Sequence, residues 1–277
     1  RDDSFPVTIE AANGPVRIEA EPERIVSLSP TATEMLFAID AGEQVIAVDD
    51  QSDYPPEVPT TDLSGYEPNV EAIASYEPDL VVATDAAALK SLADLEIPLL
   101  VHPAASDLDE AYEQIEQLGA ATGHADEAAQ EVERIRTHID EIVTGVPDFD
   151  EPPTYYHELD DTYFTVTSHT FIGQVYALTG LRNIADEADK AGTGYPQLSA
   201  EYIVEADPDF IFLADSECCG QTPERVARRP GWDRIAAVQR GAVFDVGDDV
   251  SSRWGPRVVD FLEVVVDALK SVRAAAR

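Results

Sequence analysis

Aromatic residues gather where the pattern places loops. Tyr54, Tyr66, Tyr163, Phe164, Tyr195 and Trp254 each fall in a segment expected beyond the C-terminal end of a strand. Open α/β sheets hold their ligands at those ends. A ring kept in such a loop offers a flat apolar face to a guest, so the set points to a binding surface. The plainer reading of any single one is that it covers the end of a sheet. In SSRWGPR at 251–257, Arg253 and Arg257 flank Trp254 and Pro256, with Asp249 just before. Arg257 stands at the start of the last helix, where local capping or pairing accounts for it. Asp249 and Arg253 suit hydrogen bonds to the polar rim of a ligand.

Covalent chemistry finds less support. The chain has no Walker A loop, no GxGxxG after a strand, no HExxH and no GxSxG. A two-lobed enzyme with its active site in a cleft is the competing reading. It needs convergent titratable groups, and no catalytic constellation is visible. His102, His124, His138, His157 and His169 lack the spacing of a local metal site, and each reads as a surface or partly packed side chain. Cys218 and Cys219 are neighbours, either two free thiols or one vicinal disulfide. No other Cys or His lies near enough to complete a metal site, so their use reads as structural or incidental.

The elements that position these residues come in duplicate. NVEAIASYEPDLVVATD at 69–85 recurs as SAEYIVEADPDFIFLAD at 199–215, without a gap and 130 positions on. In each copy an N-cap residue (Asn69, Ser199) opens a short helix with a Glu in its first turn (Glu71, Glu201). Pro-Asp stops the helix. An apolar run then reads as a buried parallel strand that ends at Asp85 or Asp215. A period this long is no solenoid; it describes two similar α/β lobes. A first-turn Glu favours the helix dipole wherever it occurs. Two matched carboxylates, one per lobe, also suit docking onto a two-fold partner that presents arginines.

Elsewhere the pattern predicts a hairpin over 7–19, a strand at 24–28, and a helix over 31–41 with Thr31 and Glu34 at capping-box spacing. A strand at 45–48, a helix near 86–95, a strand at 99–101 and a helix over 107–121 complete the first lobe. The longest helical pattern, Asp126 to about Val146, reads as a strut between the halves. Beyond it come a strand at 154–158, an extended stretch at 163–167, a helix at 171–179 and a strand at 242–246. A loop at 248–256 and a final helix over 257–273 follow. The expected domains are an N-terminal lobe at 1–121, a linking helix at 122–147 and a C-terminal lobe at 148–277.

Eighteen Lys and Arg against 55 Asp and Glu leave a net charge of −37 on 277 residues. The acids are spread between periodic apolar segments, which argues against disorder. A solvated acidic surface fits a protein kept soluble in high salt, where screening removes self-repulsion, so a halophilic source is expected. Nucleic acid and anionic membrane surfaces are poor partners for such a chain. No apolar run reaches the length of a membrane span, and the first residues, Arg1 to Ser4, are polar. The chain is therefore expected to be cytoplasmic or the trimmed form of an exported protein.

With these residues in view, the chain resembles the substrate-binding proteins of ABC importers for vitamin B12, iron-siderophores and haem. The resemblance runs from RIVSLSPTATEMLFAIDAG at 24–42 to RWGPRVVDFLE at 253–263. SDYPP at 52–56, NVEAI and PDLVV within 69–82, YPQLSAEYIV at 195–204 and SRWGPRV at 252–258 look most like the vitamin B12 binders. The resemblance implies two Rossmann-like lobes joined by one long α-helix, with a ligand between them. Tyr54, Tyr66, Phe164 and Tyr195 then match aromatic cleft residues, Asp249 and Arg253 a polar pair, and Glu71 and Glu201 the carboxylates that meet a permease dimer. Tyr66 and Tyr195 depart from the Trp that relatives often carry. Cys218–Cys219 does not reproduce the long-range disulfide of some relatives. A bulky, nearly neutral corrinoid suits tyrosines with one Asp and one Arg; anionic ferric siderophores or haem are the alternative ligands. No cofactor or metal is expected. The implied protein is an extracytoplasmic monomer, anchored at the membrane in its full-length precursor.

Overall fold

Alternating residues at Val7–Ala11 (β1) and Gly14–Ile18 (β2) pair antiparallel, with Val7 opposite Ile18. Gly14 turns the hairpin at a φ of +96°, open to glycine and rarely to a residue with a Cβ. The structure, a computed structural model, describes residues 5–275; the polar start Arg1–Ser4 lies outside the described residues. Ile25–Leu28 (β3) is buried throughout, as a central parallel strand must be. It leads into Pro30–Ala38 (α1). The expected capping box at Thr31 and Glu34 does not form. Pro30 takes the first helical position, so Ser29 becomes the cap and its Oγ accepts the Ala32 N–H.

Val45–Val48 (β4), Val70–Ala74 (α2), Leu80–Ala83 (β5) and Leu99–Val101 (β6) follow. The sheet order is β4–β3–β5–β6, all parallel. The helix expected near 86–95 is a 3₁₀ helix at Lys90–Leu95. Leu89 and Leu92 are the buried residues there, a three-residue step that the tighter helix serves. Leu108–Thr122 (α3) is capped by Asp107, whose carboxylate accepts the Glu110 N–H. Ala125–Val143 (α4) is the long helix, ~28 Å at the usual rise. It stops short of Val146 because Gly145 and Val146 donate to Ile142 and Val143 in three-residue turns.

The second sheet holds Thr154–Glu158 (β7), followed by Phe171–Ala177 (α5) and the edge strand Arg182–Asn183 (β8). Ala200–Ala206 (α6), Phe210–Leu213 (β9), Ser216–Cys219 (α7), Pro223–Ala227 (α8) and Ala236–Gln239 (α9) come next. Val243–Asp245 (β10), Asp248–Ser252 (α10) and Val258–Ala275 (α11) complete the chain. The order is β10–β9–β7–β8, again all parallel. Two expectations change here. The loop at 248–256 begins as α10, with Asp248 and Asp249 in a first turn that favours acids. The stretch at 163–167 is not extended at its start, since Tyr163 is left-handed at φ +72°.

The first core is mainly aliphatic, with Val26, Leu28, Ala47, Ile73 and Val81 around its sheet. The second is aromatic: Tyr155, Tyr156, Tyr176, Phe210, Phe212 and Trp232 are all buried. The chain forms two compact units. One runs to Arg136 and includes Trp254–Pro256; the other holds Thr137–Arg253 and continues from Arg257. The division falls inside α4. Among the described residues no helix is long and apolar enough to cross a membrane.

Candidate functional site

The loop between β4 and α2 presents Tyr54 and Tyr66 beyond the C-terminal end of the first sheet. Its base is pinned. Asp49 bridges to Leu63, the Asp50 N–H donates to Leu63 O at 2.7 Å, and the Thr61 hydroxyl reaches Val48 O. Gly65 lies against the end of β3, where an added Cβ would come within 2.8 Å of Leu28 O. That close approach holds the next residue, Tyr66, at the sheet end with its side chain 96% exposed; Tyr54 is 43% exposed. Glu71 is exposed in the first turn of α2, and Asn69 Oδ1 accepts the Glu71 and Ala72 N–H groups. Trp254 is half-buried in the same unit, and its Nε1 donates to Gln114 Oε1 at 2.8 Å. One edge of that indole is thus committed to packing.

In the other unit, the segments that carry Phe164 and Tyr195 lie together. Phe164 and Gln197 form an antiparallel bridge, the Thr165 N–H donates to Pro196 O, and the Leu198 N–H to Tyr163 O. These bonds set the two segments side by side, with Phe164 39% and Tyr195 47% exposed. The Asp189 carboxylate steadies the approach to Tyr195 by accepting the Gly194 N–H at 2.7 Å and the Thr193 N–H at 3.1 Å. Those backbone donors, Gly194 first, hold the Asp189 carboxyl below its usual range. Burial pushes the Tyr195 phenol up.

Tyr163 is half-buried and faces inward, stacked on Trp232 with centroids 5.8 Å apart. Asp249 and Arg253 sit four residues apart on α10 and its cap, bonded to one another at 2.8 Å. Glu201 is exposed in the first turn of α6, capped by Ser199, and lines an open groove of about 610 Å³ with Val204, Asp207 and Arg234.

Some chemistry lies where the pattern gave no cue. His102 and His157, expected as surface or partly packed side chains, are buried. Burial pushes His102 down to about 4 and His157 down to about 3, so both are neutral at pH 7. His102 pairs with Gln117 and His157 with the Tyr176 hydroxyl, each at 2.9 Å. Glu158 and Asp215 are buried, and Arg229, part-buried, pairs with Glu158 and lies against the Tyr163 ring. Cys218 and Cys219 are joined as a disulfide. Among the described residues, no group of three or more His, Cys, Asp and Glu is placed to hold a metal ion.

Comparison with known proteins places this geometry. A profile of the family described as periplasmic binding protein matches residues 25–250. An ABC transporter substrate-binding lipoprotein of Bacillus subtilis, YvrC, is 33% identical over 277 residues, covering 96% of this chain and 86% of its own length. A cobalamin-binding protein of Halobacterium salinarum is 35% identical over 218 residues, covering 75% of this chain and 58% of that longer protein. The crystal structure of the periplasmic vitamin B12 binding protein BtuF of Vibrio cholerae superimposes with a TM-score of 0.73 at 26% identity. That match covers 91% of this chain and 98% of the other. Paired parallel α/β units, a helix running from one into the other, and a family match across most of both have one reading: the chain belongs to the periplasmic binding protein family of substrate-binding transport proteins.

Proposed function

We propose that this chain is the extracytoplasmic substrate-binding protein of an ABC importer, that its ligand is a corrinoid such as vitamin B12, and that it hands this ligand to a membrane permease without covalent chemistry. The observation that carries the reading is that two segments tied by backbone bonds near the end of a parallel sheet both leave an aromatic ring exposed, Phe164 on one and Tyr195 on the other. Tyr54 and Tyr66 are displayed in the same manner by the first unit. Flat apolar faces of this kind suit a macrocycle with neutral amides on its rim. The Arg253 charge is matched by Asp249 within the pair, which favours a near-neutral guest over an anionic siderophore or haem. The cobalamin-binding relative and the B12-binding structure support the same ligand class. The chain works as a monomer on the outer side of the membrane. A lipid anchor in the full-length protein would parallel the Bacillus lipoprotein.

Equilibrium titration with cyanocobalamin in molar salt tests this directly. One saturable site is expected, with Tyr195→Ala and Phe164→Ala each weakening it by about 1–2 kcal/mol, roughly tenfold. Absence of saturation ends the corrinoid reading; displacement of cobalamin by haem or a ferric hydroxamate at lower concentration transfers the site to those ligands. Glu71 and Glu201, both exposed, are assigned to the permease. Replacing both with Ala is expected to leave affinity unchanged and to impair uptake in cells, whereas loss of affinity with uptake per bound ligand intact would remove that assignment.

A further inference from the structure

Glu158 closes β7 with no exposure, and its carboxylate receives the Arg229 guanidinium through both oxygens, Nη1 at 2.6 Å and Nη2 at 2.5 Å. Nη2 also donates to Gln221 Oε1 at 2.9 Å. A forked pair of this kind fixes the plane of the guanidinium as well as its position. The cation lies 4.5 Å from the Trp232 ring centroid and 5.6 Å from that of Tyr163. Tyr163 is held left-handed, a conformation that a bulky residue keeps only when its surroundings impose it. Its carbonyl accepts the Leu198 N–H, and the next residue is Phe164. The aromatic pair proposed to grip the ligand therefore hangs from a turn whose inner ring rests against Arg229.

A second carboxyl lies in the same cluster. Asp215 follows β9 with no exposure, and neither of its carboxyl oxygens accepts a hydrogen bond from an N–H or O–H; the Tyr156 hydroxyl from β7 is also without a partner. The charged and titratable groups facing Asp215 are Glu158 and Tyr156 from β7, Arg229 beyond α8, and Asp248 at the start of α10. One guanidinium cannot balance two buried carboxylates. We propose that Asp215 keeps its proton and offers it to the Glu158 carboxylate, and that the neutral cluster so formed makes Arg229 the positioning residue for the Tyr163–Phe164 turn. That proton gives Asp215 the O–H donor that its oxygens otherwise lack. Burial first, and the Glu158 charge second, push the Asp215 carboxyl up to about 8. Loss of the proton would draw Arg229 towards Asp215 and away from the ring that it supports.

The inference rests on the ligand reading for its binding readout alone, so the experiment has two arms. The chain has two tryptophans, and Trp254→Phe leaves Trp232 as the single indole, directly under the Arg229 cation. Its emission, followed without ligand from pH 6 to 9, is expected to change with a midpoint near 8. Adding Asp215→Asn, a neutral isostere of the protonated acid, is expected to flatten that trace. A flat trace in the parent, or an unchanged midpoint in the double variant, overturns the retained proton. With Trp254 intact, cobalamin affinity is expected to fall about tenfold between pH 7 and 9 in the unsubstituted protein and to stay level in Asp215→Asn. Arg229→Lys keeps the charge without the fork and is expected to weaken binding at both pH values; unchanged affinity there overturns the positioning role. Emission that titrates as expected in a protein that binds no cobalamin at any pH removes the corrinoid assignment and leaves the protonated Asp215 in place.

Discussion

The two copies of the repeat agree where they fix the backbone and part where they meet the end of the sheet. Asp79 accepts the Glu23 and Arg24 N–H groups; Asp209, 130 positions on, accepts the N–H of Thr154, the position equivalent to Arg24. Glu77 and Asp207, also equivalent, are both left-handed where the helix ends. Leu28 pairs with Ala83 in one sheet as Glu158 pairs with Leu213 in the other. There the likeness stops. The Asp85 side chain is exposed and accepts the Ala87 N–H, whereas the carboxyl of its counterpart Asp215 is buried and accepts no hydrogen bond, and the apolar Leu28 is answered by a buried carboxylate. Residues that satisfy backbone donors are kept because any substitute leaves a donor stranded. Residues at the strand ends answer to the ligand side, and there the second unit has placed a buried pair of carboxyls beside an arginine.

The largest effect is expected from removing the cation that separates the copies. Arg229→Leu strands Glu158 and should lower unfolding free energy by about 3–5 kcal/mol in urea titrations run in molar salt. Glu158→Leu, which writes the first copy's residue into the second, should cost less, because Asp215 can yield its proton and take up the same guanidinium. Equal losses would dissolve the distinction between the two carboxyls.

Each unit also buries one neutral histidine, His102 in the first and His157 in the second. Their folded values lie below the ordinary 6.5, so the unfolded chain takes up protons that the folded chain refuses. Stability should therefore decline as pH drops from about 6.5 towards 4, by about 2 kcal/mol per histidine at pH 5. Asp215 has the opposite sign: its folded form keeps a proton that the unfolded chain loses near 4, so its contribution declines as pH rises from about 4 to about 8. His102→Gln and His157→Gln should each flatten the acid limb of a pH–stability curve, and an unaltered limb would show that residue is not the one being charged.

The smallest effect tests the likeness itself. Asn69→Ala and Ser199→Ala remove matched caps, and each should lower stability by about 1 kcal/mol in chemical denaturation. A clear inequality between them would show that one copy leans on its surroundings more than the other.

The repeat was readable in sequence because its signals are local: a cap, a Pro-Asp stop and an apolar run within 17 residues. Four of the six loop rings, Tyr54, Tyr66, Phe164 and Tyr195, are exposed as their polar segments suggest, whereas Tyr163 stacks inward on Trp232 and Trp254 is half-buried against Gln114, contacts that no local signal announces. The cluster was not readable either. Glu158 sits in TYYHE, which reads as an ordinary strand, and its partner lies 71 positions away in a turn crowded with arginines. Nothing in spacing says which of Arg225, Arg228 and Arg229 turns inward. The helix at 248–252 has no sequence signature because five residues carry too little periodicity. Asp249 and Arg253 suit a polar rim by residue type, but their four-residue step also lets them bond to each other once that turn is helical.

The bond between Cys218 and Cys219 has a practical corollary. A cross-link between neighbours encloses almost no chain, so it removes next to no freedom from the denatured ensemble. Purification under dithiothreitol, or expression in a reducing compartment, should therefore leave the melting temperature essentially where it was.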